Sequence, residues 1–131
     1  MTTELGYLTW VSLLTTLMWI PYGLHAIVTL GVMVPFGNRN EPITLAPWAE
    51  RAKRAHANAV ENLVVFAALL LAAHQAGVTG SITAWASIIY FWSRLAHYVV
   101  YTLGIIGVRS VVWGAAWVCQ ILVAWQLLTS I

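Results

Sequence analysis

Residues 5–34 read LGYLTWVSLLTTLMWIPYGLHAIVTLGVMV, a stretch without a single Asp, Glu, Lys or Arg between Glu4 and Arg39. A helix rises ~1.5 Å per residue and needs about 20 mainly apolar residues to cross the hydrocarbon of a bilayer. The stretch therefore predicts a membrane-spanning helix over 5–34. Pro21 removes one backbone donor and kinks it, and Pro35 marks its end. A cleaved secretory leader would carry a basic start and a much shorter apolar run, so this segment is expected to be retained as the first helix.

Working outward, the pattern repeats. Charge is absent again between Glu61 and Arg94 and after Arg109. Only 8% of residues are charged, 61% are hydrophobic and the mean hydropathy is +0.82, whereas soluble domains carry roughly a quarter charged residues. Four helices follow, at about 5–34, 49–76, 82–103 and 109–130. They form one transmembrane domain over 1–131, an all-α integral membrane bundle. The segment Phe36–Trp48, with its Gly, Asn and two prolines, is the one substantial loop. The turn at 76–81 and the segment Gly104–Val108 are too short for anything but antiparallel neighbours.

Orientation follows from the basic residues. Arg39, Arg51, Lys53 and Arg54 crowd the first connection, Arg109 lies in the third, and the second has no charge. The positive-inside tendency places connections one and three in the cytoplasm and both termini outside. Trp10, Trp85 and Trp125 then fall near the outer interface, and Trp48 and Trp113 near the inner one. Ala55 with Ala59, and Ala68 with Ala72, are spaced for close helix contact. The lone Cys119 excludes an intramolecular disulfide and is expected to be a buried, inert thiol. A net charge of +2 is too small to indicate nucleic acid as a partner.

An ionisable group inside a span costs on the order of 3 kcal/mol and marks a function or a compensating partner. Arg54, Asn58 and Glu61 stand at i, i+4 and i+7 on the second helix, one face over two turns. Arg94, His97, Tyr98 and Tyr101 do the same on the third, and Arg109 opens the fourth at that level. Arg51, Arg54, Arg94 and Arg109 outnumber Glu61, the single carboxylate of the region. Unpaired cations at low dielectric favour an anion, and the planar arginine fork suits carboxylates. The expected ligand is small, net anionic and drawn from the cytoplasm, with Glu61 available for an amine. An ion-paired Glu61 that merely locks the bundle is the plainer alternative.

Glu50-Arg51-Ala52-Lys53-Arg54-Ala55-His56-Ala57-Asn58-Ala59-Val60-Glu61 closely resembles the second-helix signature E-R-x-x-R-A-x-x-N-x-x-E of the MAPEG family, membrane-associated proteins in eicosanoid and glutathione metabolism. Arg94-Leu95-Ala96-His97-Tyr98-Val99-Val100-Tyr101 is similar to the family's third-helix motif, and Arg109-Ser110 to the start of its fourth helix. The resemblance implies a homotrimer binding glutathione between neighbouring subunits. By it, Arg51, Arg54, Asn58, Glu61, Arg94, His97, Tyr98 and Tyr101 would contact or support the tripeptide. Arg109 would stand near its sulfur, lowering the thiol pKa, with Ser110 as a second candidate. The implied activity is that of a glutathione transferase or peroxidase acting on a lipophilic electrophile or hydroperoxide from the membrane lipid. Two departures stand out: Ala57 occupies a position where some members carry an arginine, and the first helix has no arginine like the one some members use across the subunit boundary.

Other classes fit less well. A four-helix drug exporter needs a carboxylate in its first helix, and none lies between Leu5 and Val34. A non-catalytic assembly protein that keeps the fold is the main alternative. His25, His56, His74 and His97 lack the i, i+4 spacing of a metal pair, and pairing His25 with His97 around a haem is the only such arrangement to consider. Trp113 and Trp117 read as packing residues, or as the walls, with Tyr101, of a cleft open to a hydrophobic substrate. Short connections and the absence of a retrieval signal suggest a bacterial inner membrane.

Overall fold

The computed structural model describes residues 1–34, 37 and 43–131, and every regular element among them is a helix. These are α1 (Thr3–Leu17), α2 (Trp19–Leu30), α3 (Pro47–Gln75), α4 (Ser81–Leu103) and α5 (Val108–Thr129). Pro35 lies outside the described residues, as do Phe36 and residues 38–42 of the expected Phe36–Trp48 loop, Arg39 among them. The chain is a multi-pass membrane protein. Thr3–Leu30, Pro47–Gln75 and Val108–Thr129 are long and apolar enough to cross a membrane.

Of the four expected spans, α4 is the one set apart by its composition. It has 23 residues but is not among the three helices apolar enough to cross by composition. Its polar residues are turned inward instead: Thr83, Ser87, Ser93, Arg94 and His97 are all buried. α4 packs against α1, α3 and α5 at once, so its polar face meets protein rather than lipid.

The first span also differs from the expected 5–34. It is interrupted at Met18, the C-cap of α1, three residues before Pro21. Proline lacks the N–H that would bond the carbonyl of Leu17 and its ring crowds that same carbonyl, so the ladder fails one turn upstream. At the break the Tyr98 hydroxyl donates to the Met18 carbonyl at 2.8 Å, next to the Leu17 carbonyl that Pro21 deprives of its donor. The span then ends at Leu30 rather than Val34, because Gly31 takes φ 103°, a left-handed conformation open mainly to glycine.

Ala49, Ala52, Ala55 and Ala59 line the buried face of the first half of α3, and Phe66, Leu70 and Ala73 that of the second. Ala55 and Ala59 thus make the close contact expected of them, whereas Ala68 and Ala72 are exposed. The apolar core joins Phe66, Leu70 and Ala73 to Leu8 and Val11 of α1, Ala86 and Tyr90 of α4, and Ala116, Cys119 and Val123 of α5. Cys119 is a free, buried thiol. Trp10, Trp85 and Trp125 are exposed at about 60% each, as interfacial anchors require.

Candidate functional site

The beginning of α3, the end of α4 and the beginning of α5 meet at one end of the bundle. Arg51, in the second turn of α3, donates from Nε to the Thr102 carbonyl at 3.0 Å. That carbonyl belongs to the last turn of α4, where unpaired carbonyls and the helix dipole attract a cation. Gly104 caps the helix at φ 78°, and a side chain there would meet the Arg51 guanidinium at 3.3 Å. Arg51 is thereby committed to holding the α4–α5 turn.

Beyond that turn a cavity of about 260 Å³ is lined by Asn58, His97, Tyr101, Arg109, Ser110 and Trp113. Five of these are among the residues expected from the sequence. Arg94 lies behind them, 1% exposed, donating from Nη2 to Asn58 Oδ1 at 2.9 Å and standing 3.4 Å from His97 Nδ1. Its Nε and Nη1 are buried without a hydrogen-bond partner among the described residues. The Arg109 guanidinium lies over the Tyr101 ring, 4.6 Å from its centroid, a cation–π contact that fixes its charge at the cavity wall. His97 meets the same ring edge-on at 5.5 Å.

Asn58, Arg94, His97, Tyr101, Arg109 and Ser110 therefore converge on one place. Arg51 and Tyr98 do not: the first holds the α4–α5 turn, and the second is turned to the Met18 carbonyl. Arg54 and Glu61 are exposed on α3, so the stripe they form with Asn58 faces outward from the protomer. Trp113 borders the cavity, but Trp117, paired with it in the sequence reading, does not. His25 is occupied elsewhere: its Nε2 accepts from the Ala46 backbone N–H at 3.3 Å, and its ring meets Trp48 edge-on at 5.0 Å.

One cluster escaped the sequence reading. The side-chain oxygen of Asn62 accepts from the Tyr90 hydroxyl at 2.8 Å and from Gln120 Nε2 at 2.6 Å, joining α3, α4 and α5. The signal was present: Asn62 stands four residues after Asn58, and a lone amide in an apolar helix calls for a partner. This knot lies one turn from Asn58 and holds together the three helices that form the cavity.

A family model describing the MAPEG family matches residues 5–129. The chain belongs to the MAPEG family. The match takes in the first helix, which the motifs alone left unaddressed, and every residue of the cavity. Among curated proteins no significant match to this MAPEG chain was found. The site thus joins membership of a membrane family whose members include glutathione-dependent transferases and peroxidases to a cavity at one end of the bundle, with Arg109 on its wall and Arg94 buried behind it.

Proposed function

We propose that the protein binds glutathione and activates its thiol, as a transferase or peroxidase acting on lipophilic substrates. The observation that carries this reading is Arg94, fully buried with two guanidinium nitrogens unpartnered, behind a cavity whose wall holds a second arginine. A charge so placed costs on the order of 3 kcal/mol, and a carboxylate accepting from those nitrogens offsets the cost. Glutathione supplies two carboxylates, an amine and a thiol, and the cavity wall offers matching donors in His97, Tyr101 and Arg109, with the Arg94 guanidinium behind them.

At about 260 Å³ the cavity falls below the ~300–1,000 Å³ of pockets that enclose a whole small ligand. A second copy of the chain would complete it. Glu61 and Arg54, exposed on the adjoining face of α3, support assembly there, since a bare carboxylate facing lipid is costly. A homotrimer with glutathione between subunits accommodates both facts, with Glu61 meeting the ligand's amine. The positive-inside tendency of Arg51, Lys53, Arg54 and Arg109 supports a cavity that faces the cytoplasm, and the short connections support a bacterial inner membrane.

In the mechanism, Arg109 stabilises the thiolate once the thiol proton has left to solvent. The Tyr101 ring beneath it keeps the guanidinium in place, and the Ser110 hydroxyl donates a further hydrogen bond. Sulfur then attacks the electrophilic carbon: a C–S bond forms and the leaving group departs with its electron pair. With a hydroperoxide, sulfur takes the distal oxygen as a sulfenic acid while the O–O bond breaks and the alkoxide leaves, to be protonated to the alcohol; a second glutathione then displaces water from the sulfenic acid to give the disulfide. Field stabilisation by preorganised groups is the main catalytic term.

Calorimetric titration of glutathione into the detergent-purified protein, beside its Arg94→Ala and Arg109→Ala variants, tests the reading. Binding that Arg94→Ala weakens at least about tenfold, with Arg109→Ala lowering turnover of an aryl halide more than affinity, is the expected result. No binding to the unaltered protein at millimolar glutathione overturns it, and the non-catalytic assembly role then stands in its place.

A further inference from the structure

Arg94 meets two of the residues that line the cavity, and it meets both through one atom. Its Nη2 lies 2.9 Å from Asn58 Oδ1 and 3.4 Å from His97 Nδ1. That nitrogen carries two hydrogens, one for each neighbour, and a guanidinium has no lone pair to offer in return. Whatever faces it must therefore accept. The Asn58 amide has to turn its oxygen to Arg94, and His97 has to hold Nδ1 bare.

The consequence lies on the far side of each residue. With its oxygen engaged, Asn58 has its Nδ2 hydrogens left for the cavity. With Nδ1 bare, a neutral His97 carries its proton on Nε2, as a donor; an imidazolium would set an N–H against the Arg94 cation at low dielectric. Both residues line the cavity, as does Arg109, which is itself a donor only. Turning Asn58 or His97 over would take an acceptor from a guanidinium whose Nε and Nη1 already lack partners among the described residues, and buried polar groups are seldom left so.

We infer that Arg94 is a positioning residue for selectivity: by occupying the acceptors of Asn58 and His97 it leaves the cavity a wall of donors, which takes a carboxylate and rejects the neutral carboxamide of the same shape. A carboxylate accepts on every side, whereas a carboxamide sets two N–H donors against that wall. The inference rests on the proposed function where it gives one glutathione carboxylate to this wall, but the place of the His97 proton is a property of the ligand-free protein.

That proton gives the first readout. Nitrogen NMR of detergent-purified protein labelled at histidine, with His97→Phe to pick out the His97 signals, is expected to show one neutral tautomer, bare at Nδ1 and protonated at Nε2. Arg94→Met lets an Nδ1-protonated fraction appear. A proton on Nδ1 in the unaltered protein, or a tautomer indifferent to Arg94→Met, overturns the inference. Calorimetry with glutathione and its two monoamides, one at each carboxylate, gives the second. One monoamide is expected to bind at least about tenfold more weakly than glutathione. Asn58→Leu and His97→Phe both keep Arg94, and each narrows that ratio to about threefold or less. A ratio unchanged in both variants places the selectivity in the Arg94 charge alone and overturns the inference, as do two monoamides that bind like glutathione. If glutathione itself does not bind, the proposed function fails, and small probes decide this inference separately. Displacement of the His97 Nε2 signal by propionate and not by propionamide upholds it; equal displacement, or none, overturns it.

Discussion

The two halves of α3 bury different things. Its first half presents Ala49, Ala52, Ala55 and Ala59 to its neighbours; its second presents Phe66, Leu70 and Ala73. In the second half Phe66 stacks on Tyr90 with ring centroids 3.7 Å apart, and the space among α1, α3, α4 and α5 is filled with carbon. In the first half methyl groups leave volume, and Arg94 and His97 of α4 take it up together with a cavity. One half supplies packing and the other holds a charge that packing alone does not satisfy. Stability and ligand affinity should therefore respond to different residues on the same helix.

The largest effect on stability is expected from Phe66→Ala, which removes one ring of the stacked pair and leaves a void worth about 3 kcal/mol. Thermal unfolding in detergent should fall markedly, with glutathione affinity unchanged at a permissive temperature; a parallel loss of both would erase the division between the halves. Arg94→Met is its mirror image. Exchanging a buried, incompletely paired cation for an apolar chain of similar length should leave thermal stability equal or raise it by about 1–3 kcal/mol, while weakening glutathione binding at least about tenfold in calorimetry. A destabilised Arg94→Met protein would mean that the guanidinium serves the fold.

The boundary between the halves is the Asn62 knot. Asn62→Ala strands the Tyr90 hydroxyl and one Gln120 donor, and membrane-buried hydrogen bonds of this kind are worth about 0.6–1.7 kcal/mol. A moderate drop in melting temperature with a smaller loss of glutathione affinity would locate the knot between packing and site. An effect of similar size is expected at Gly104→Ala, where a left-handed residue gains a Cβ at a cost of about 1–2 kcal/mol. The same Cβ would press on Arg51, so turnover should decline with the α4–α5 turn; unchanged melting would show the turn to be more pliant than the contact suggests.

The same division governs what the sequence disclosed. The gaps between charged residues mark the helices because bilayer thickness sets their length, and Pro21 announces a break that falls at Met18. The cationic cluster was legible because charge in an apolar helix is rare. Less legible was which way each charge points: Arg54, Asn58 and Glu61 share a face by periodicity, yet only Asn58 enters the cavity, because that face spans the edge between the protomer's inside and its surface. Arg51 and Tyr98 looked like ligand contacts because the backbone carbonyls they bond, at Thr102 and Met18, leave no trace in side-chain pattern. Asn62 and Gln120 each stand alone in sequence, and their pairing exists only across helices.

Glu4 accepts from the Thr83 hydroxyl at 2.7 Å and is buried, while the Met18 carbonyl awaits Tyr98. Both partners lie on α4, 79 and 80 residues further along the chain. At roughly 5–20 residues per second of synthesis, the opening segment emerges from the ribosome about 4–16 s before the groups that satisfy it exist. During that interval its acid and its broken ladder must be sheltered by the insertion machinery or by interfacial water. The helix that leads the way into the bilayer thus cannot finish docking until α4 has followed it, and lesions in α4 should surface during biogenesis as early degradation of nascent chains.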